Sequence, residues 1–434
     1  MADVSPFAGF CYNRDKIKNL AEVVTPPYDV ISPEEQDAFY HRHPQNCVRL
    51  DFGKILDTDT PEENRYTRAS AFFKDWREEE ALVRSELPAY YISAVDFTAA
   101  GKSFTRYGLT ARVGLEPFEK KIVLPHERTF SKVKTERLEL MKACRANFSP
   151  VFSIYPDTGE ILADLKGIVA GRAPDSDLVD DAGHRHRMWH VSDKQACARI
   201  QSLFTDKQIF IADGHHRYET ALNYRKHLSE TLPGFSDAHP ANWIMMYLCG
   251  MGDPGLAILP THRVLNQVSE EDRKALVAKA ADYFEVTPYD AAETTRLIAD
   301  LRKDASRPSF GVLLKDTAYL FRLKEGLMDR LFGEEIPAPL RKLDVTVLTR
   351  VVFMAIMGYD EARLDDEKTI SYASEDGKAV AMVASGKGDV AFILNSTPIE
   401  QVQEVAQAGL VMPRKSTYFY PKVITGQVMN FLED

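Results

Sequence analysis

Short apolar runs and amphipathic stretches alternate along most of the chain. Near the start, "AYYISAVDF" has an extended pattern, and "YTRASAFFKDWREEEAL" has helical spacing. "YYISAVDFTAAGKSFTRYGLTARVGL" predicts a hairpin, because two β-rich runs flank a turn of small residues. From Glu136 to Asn147, the spacing of Leu138, Met141 and Ala146 predicts an amphipathic helix, followed by a buried strand in "SPVFSIYP". The polar segment from Ala170 to Gly183 predicts a loop between subdomains. "QIFIADG" then "HHRYETALNYRKHL" predicts strand, tight turn and helix, with Tyr218, Ala221, Leu222 and Arg225 in helical register.

Beyond Leu265 the same alternation continues. "SEEDRKALVAKAADYF" opens on a Ser-x-x-Asp cap and predicts a helix. "GVLLKDTAYLFRLK" predicts a hairpin turning at Asp316-Thr317, and "LDVTVLTRVVFMAIMG" a buried helix closed by Gly358. "GDVAFILN", "IEQVQEVAQAG" and "KSTYFYPKVITG" add a strand, a helix and a final segment. The fold class expected is α/β, of the mixed α+β kind.

Length refines that picture. At 434 residues the chain exceeds one ordinary domain, so two or three packed units are expected. A net charge of -10 argues against a general nucleic-acid surface while leaving room for a local basic pocket. The amino terminus lacks a basic segment followed by an apolar one, and no stretch is long enough for a membrane span, so a cytoplasmic protein without a membrane partner is expected. Cys11, Cys47, Cys144, Cys197 and Cys249 are widely spaced and read as reduced thiols.

The chemistry concentrates in "IADGHHRYETAL". Asp213 is placed to accept hydrogen bonds from the amides that open the helix, and Gly214 lets the backbone bend. His215, His216 and Arg217 have no such structural role, because bulky cationic or near-neutral groups in a first helical turn oppose the macrodipole. An anion bound at that helix end would account for them, with Arg217 forking two phosphate oxygens and Asp213 holding magnesium or a hydroxyl. The alternative is a capped helix whose histidines bond to a neighbouring loop.

This turn resembles the Gly-His-x-Arg turn of the ParB/sulfiredoxin-like fold, and within that fold the Asp-Gly-His-x-Arg turn of free serine kinases. Over nearly its full length the chain also resembles a family catalogued as domain of unknown function 1015. The stretches that carry the resemblance are "VVTPPYDVIS", "LPHERTF", "RLELMKACRANFSPVF", "IADGHHRYETAL", "LAILPTHRVL", "LDVTVLTRVV" and "MPRKSTYFYPK". The resemblance implies a ParB/sulfiredoxin-like nucleotide-binding core at 176–267, flanked by α/β regions at 1–175 and 268–434. It further implies Asp213 near a metal or the acceptor hydroxyl, Gly214 and His215 at the phosphates, and Arg217 on a phosphate oxygen. The kinases use a separate glutamate as base; Glu127 is the first choice here and Asp29 the second.

Other polar clusters fill out the expected site. "LPHERTF" sets His126, Glu127 and Arg128 in a loop, and Phe130 stands where a zinc H-E-x-x-H would need its second histidine. "LPTHRVL" offers Thr261, His262 and Arg263; Arg263 could reach the anion held by Arg217, or the segment could be a strand edge with solvated charges. "MPRKSTYFYPK" combines Arg414, Lys415, Ser416 and Thr417 with Tyr418 and Tyr420, and reads as a second wall of the site. In "RANFSPVF", Arg145, Asn147 and Ser149 read first as local helix-ending residues. "GHRHRMWH" brings His184, His186 and His190 together, but without a carboxylate or cysteine at ligand spacing it reads as a solvated loop. "AAGKS" resembles the end of a P-loop, yet Asp96 occupies the place of its first glycine. Neither G-x-S-x-G nor G-x-G-x-x-G after a strand is present.

Three functions fit these residues. The first is a phosphotransferase using Mg2+ with ATP or ADP to act on a small hydroxyl acceptor such as free serine. The second is a ParB-like nucleotide-hydrolysing switch, which the acidic charge and lack of a basic recognition helix disfavour. The third is a non-catalytic protein that binds a phosphorylated metabolite.

Overall fold

The computed structural model describes residues 1–127, 131–366 and 368–433. They form two compact units, Met1–Ala257 with Pro421–Asp434, and Ile258–Tyr420.

The first unit is built on a mixed nine-stranded sheet. Its principal elements are β1 (Tyr90–Ala99), β2 (Lys102–Gly114), β3 (Val123–Leu124), α1 (Ser131–Cys144), β4 (Val151–Tyr155), β5 (Ser176–Val179), β6 (Arg185–Val191), β7 (Ile209–Asp213), α2 (His215–Thr231) and β8 (Trp243–Gly250). The order is β3-β7-β4-β8-β2-β1-β6-β5, with Val4–Ser5 added beside β2. The β1–β2 hairpin closes through Ala100 and Gly101, both at positive φ, with Ala99 opposite Lys102. The glycine that resembled a P-loop residue is therefore a hairpin turn.

The helix expected at 136–147 is α1, which begins earlier and ends at Cys144, before a short strand at Ala146–Asn147. The polar stretch at 170–183 contains edge strand β5, so the sheet runs on through it. "GHRHRMWH" is mostly strand β6, not a solvated loop, because it pairs with β1 on one side and β5 on the other.

Strand β7 is buried apart from its last residue, and α2 lays Tyr218, Ala221 and Tyr224 into the core beneath the sheet. The Tyr218 hydroxyl donates to the Glu116 carbonyl at 2.8 Å and accepts from the Glu116 amide at 2.9 Å. Such full pairing lets the phenol be buried without an unsatisfied oxygen. The carboxyl-terminal segment returns to this unit: Thr425 bridges to Thr25, Met429 to Phe10, and Asn430 pairs with Asn147.

The second unit carries β9 (His262–Leu265), α3 (Glu270–Tyr283), β10 (Phe284–Asp290), β11 (Ser309–Leu313), β12 (Thr317–Leu323), β13 (Ile370–Ala373), β14 (Val390–Leu394) and α4 (Ile399–Gln407). Its six-stranded sheet is antiparallel, in the order β10-β12-β11-β14-β9-β13. Ser269 caps α3 through the Asp272 amide at 3.0 Å. The β11–β12 turn falls at Lys315-Asp316, one residue before the expected pair, since Leu313 faces Ala318. The apolar stretch at 344–356 is a buried helix that widens to π geometry over Leu348–Ile356, and Gly358 follows at φ +70. No helix among the described residues is long and apolar enough to cross a membrane.

Candidate functional site

The turn between β7 and α2 is set by two constraints at Gly214. Its φ is +92, the left-handed region that glycine enters without penalty. A Cβ here would also lie 2.6 Å from Arg217 Nε, so the arginine can fold back over the turn only because this residue is glycine. Gly214 is the N-cap, and it has no side chain to meet the first-turn amides of a 17-residue helix.

Asp213 does not cap the helix as expected, because both its oxygens face cations. Oδ2 accepts from Arg217 Nη2 at 2.7 Å, and Oδ1 accepts from Lys422 Nζ. Burial pushes the Asp213 pKa up, but Lys422 and Arg217 outweigh it and hold the carboxyl well below its usual range. Arg217 also donates through Nη1 to the Pro150 carbonyl, while its Nε has no hydrogen-bond partner.

Of the cationic and near-neutral states open to these histidines, burial selects the neutral one. His215 is buried, and burial together with His126 pushes its pKa well below 6.5, so the ring is neutral. Burial likewise pushes His126 down to about 4. The two rings meet edge to face, with centroids 4.8 Å apart. His215 Nε2 accepts from the His126 backbone N–H at 3.3 Å. That amide is an obligate donor, so the proton of the neutral ring is on Nδ1, which lies 3.9 Å from Glu127 Oε2. His216 is half-buried, and burial lowers its pKa against the opposing pull of Glu219 and Asp29. Asp29, exposed, also acts electrostatically on Arg217.

With the two imidazoles neutral, the directly paired groups Asp213, Arg217 and Lys422 sum to one positive charge, and the carboxylates of Glu127 and Asp29 stand beside them. The two cations are what an anion at this helix end would use, although Arg217 is already matched by a carboxylate from its own chain.

Beside the turn lies a small cleft, of about 40 Å³, lined by Asp51, Arg137, Asn147, Ser149, Arg217 and Thr220 among others. Arg137 donates to Asp51 Oδ1 at 3.0 Å and to the Asp51 carbonyl at 2.7 Å, and it lies 3.9 Å over the Tyr28 ring. Asn147 and Ser149 thus line a pocket wall, while Arg145 pairs with Glu433 instead. Thr220 Oγ1 is buried without a hydrogen-bond partner.

Within unit one, then, the chain gathers Asp213, Gly214, His215, His216, Arg217 and Glu127, with Asp29 near them. Arg128 lies outside the described residues. His262, Arg263, Lys415 and Ser416 belong to the second unit, where their roles are local. His262 Nδ1 accepts from the Leu394 amide at 3.1 Å, and its Nε2 is 2.9 Å from Asp376. Arg263 Nη2 donates to the carbonyls of Arg414 and Lys415, each at 3.0 Å, and Nη1 to the Thr261 carbonyl. Burial pushes its pKa down to about 10. Ser416 Oγ donates to the Pro413 carbonyl at 2.5 Å. These groups hold a loop together with contacts that an anion would have to displace.

Two residues were not anticipated. Lys422 ends the "MPRKSTYFYPK" stretch, in which Lys415 is the lysine that sits beside hydroxyls. Asp51 gave no signal, since a lone aspartate in "CVRLDFG" becomes notable only when Arg137 is placed against it.

The family described as "Protein of unknown function (DUF1015)" matches residues 4–346. No curated protein matches. Among solved structures, the chain is similar to a free serine kinase variant in complex with ADP, at 14% identity and TM-score 0.35, covering 74% of this chain and 92% of that one. A conserved hypothetical protein from Pyrococcus furiosus is similar at 14% identity and TM-score 0.34, covering 74% and 95%. SbnI with a C-terminal truncation from Staphylococcus aureus is similar at 11% and 0.35, covering 74% and 86%.

Proposed function

The chain belongs to the DUF1015 family, and for it we propose a nucleotide-dependent phosphotransferase acting on a small hydroxyl-bearing acceptor, with free serine favoured. The observation that carries the proposal is the pair of cations, Arg217 and Lys422, gathered at the start of α2. A helix opening without a capping side chain is flanked by Arg217 and Lys422 and joined to an ionised carboxylate.

Phosphoryl transfer needs little covalent chemistry from the protein and much positioning. The α2 amides, Arg217 and Lys422 would hold phosphate oxygens, with Lys422 able to turn from Asp213 toward the ligand. Asp213, Glu127 and Asp29 supply the hard oxygen donors that magnesium requires, and Asp213 is the first candidate once Lys422 moves. Bound there with the nucleotide, magnesium would neutralise phosphate charge. Glu127 is the proposed base for the acceptor hydroxyl, and His215 Nδ1–H is placed to orient its carboxylate if the 3.9 Å gap closes.

The test is to incubate the protein with magnesium, L-serine and ATP, ADP or CTP and to follow phosphorus species by NMR, with Asp213→Asn alongside. Phosphoserine made by the wild type and not by the variant is expected. If no nucleotide is bound or consumed under any condition, the proposal fails. Binding without turnover would leave the metabolite-binding reading, and nucleotide loss stimulated by DNA instead of serine would favour the switch.

A further inference from the structure

The β5–β6 hairpin collects a carboxylate and two imidazoles that the phosphate chemistry does not use. β5 ends at Val179, and the chain turns through Gly183, at φ +81, before β6 begins at Arg185. The turn is tied twice along the backbone, Asp180 N–H to the His184 carbonyl and Gly183 N–H to the Asp180 carbonyl, each at 3.0 Å. Asp180 Oδ1 accepts from the amides of Ala182 at 3.0 Å and His184 at 2.9 Å. Its other oxygen, Oδ2, faces His184 Nδ1 at 3.1 Å and His186 Nε2 at 2.9 Å. The two histidines, two residues apart entering β6, are only 7% and 2% exposed. One donor atom from each of the three residues lies within 4.8 Å of the other two, the only such group among the described residues.

We propose that this hairpin binds one divalent transition-metal ion, zinc foremost, through Asp180 Oδ2, His184 Nδ1 and His186 Nε2, with a fourth position open to water. The carboxylate supplies what "GHRHRMWH" lacked by itself: Asp180 lies upstream of the histidines, and the turn folds it back onto them. Two imidazoles and a carboxylate form the borderline donor set that zinc, cobalt, nickel and copper prefer over magnesium and calcium. Ligands about 2.0–2.2 Å from a tetrahedral zinc stand about 3.4 Å apart, so the carboxylate would move from each ring by a few tenths of an ångström, and the two imidazole nitrogens, within 4.8 Å of each other, would close to the same spacing. The two amides on Oδ1 hold the carboxylate in place, as supporting hydrogen bonds do around metal ligands. His190 takes no part: its backbone amide bonds Asp175, and its ring packs edge-on against Tyr91.

The experiment uses the full chain, freed of any affinity tag and stripped with EDTA. Cobalt(II) chloride is titrated in while the visible d–d bands of tetrahedral cobalt are read, and zinc is then measured by competition with a chromogenic chelator. One equivalent is expected, with cobalt bands that zinc abolishes. His186→Gln and Asp180→Asn should each weaken zinc about 100-fold or more, beyond the roughly 10–100-fold cost of losing a supporting hydrogen bond alone. His190→Gln should change nothing. Asp180→Asn keeps an acceptor for the turn amides, so it reports loss of the ligand even where His186→Gln fails to fold. Absence of tetrahedral cobalt bands in the wild type, or zinc binding that Asp180→Asn leaves unchanged, would overturn the assignment and leave a hydrogen-bonded hairpin.

Discussion

Asp213 and Asp180 are the same residue in nearly the same setting. One is the last residue of a strand and the other follows one; their side chains are 14% and 19% exposed, and each carboxylate faces two nitrogen-bearing partners. The partners divide them. Asp213 faces a guanidinium and an ammonium, so these three groups sum to one positive charge and offer an anion two cations. Asp180 faces two imidazoles, and with those rings in the neutral form that binds metal the cluster is negative and suits a cation. Burial is therefore a poor guide to what such a carboxylate does, and the partners' capacity to lose their charge is a better one.

The largest expected effect comes from removing the charge of Asp213. Asp213→Asn leaves Arg217 and Lys422 beside a neutral amide, and stranding buried partners of an ion pair costs about 3–5 kcal/mol. Urea unfolding monitored by circular dichroism should show that loss. A change below about 1 kcal/mol would mean that water already screens the pair and that the turn is softer than its burial implies.

Next is a pH effect in the same cluster. His126 titrates near 6.5 when unfolded and is held down to about 4 by burial when folded, so only the unfolded chain gains a proton between those values. Stability that is full above pH 6.5 should fall as pH drops toward 4, by on the order of 3 kcal/mol from this ring at about 1.4 kcal/mol per unit. His215, displaced in the same direction, should add to the slope. Unfolding free energies measured across that range should decline less in His126→Gln; an equal slope in both proteins would show that the burial of His126 does not govern it.

A smaller effect tests the positive sign of the turn. Lys422→Met leaves Arg217 alone against Asp213, bringing the cluster from one net positive charge to none. Losing this charge-assisted bond should cost about 1.5–3 kcal/mol of stability. ADP affinity, read by calorimetry, should fall about tenfold or more. Unchanged affinity would detach Lys422 from anion binding and leave it a structural partner of Asp213.

Local pattern made much of this visible in the sequence, and long-range pairing made the rest invisible. β7, the turn and α2 follow from an apolar run, a glycine and helical spacing, all within a stretch of chain whose geometry is decided locally. The β1–β2 hairpin and the Ser269 cap are legible for the same reason. Lys422 could not be read this way, since it meets Asp213 across 209 positions only after the carboxyl-terminal segment returns to the first unit. Arg217 was misjudged for a different reason: its apparent need for an external anion is partly met by a carboxylate only four residues before it, a local pair that helical spacing already allows. "GHRHRMWH" failed differently: its histidines were visible, but the strand pairing that buries them and the turn that delivers Asp180 were not.

The smallest effect is the one that most directly separates the two aspartates. In metal-free protein, Asp180→Asn keeps a carbonyl oxygen for the amides of Ala182 and His184, and it strands no permanent charge. The cost should then be about 1 kcal/mol or less, the net worth of ordinary hydrogen bonds, against several for the same change at Asp213. Adding zinc should widen the gap between wild type and Asp180→Asn, because an ion that binds only the folded state stabilises it by mass action. Melting temperatures with and without zinc, measured on wild type, Asp180→Asn and Asp213→Asn, make the comparison in one experiment. Asp213→Asn should melt far lower yet keep its zinc-induced rise, whereas Asp180→Asn should melt close to wild type and lose that rise.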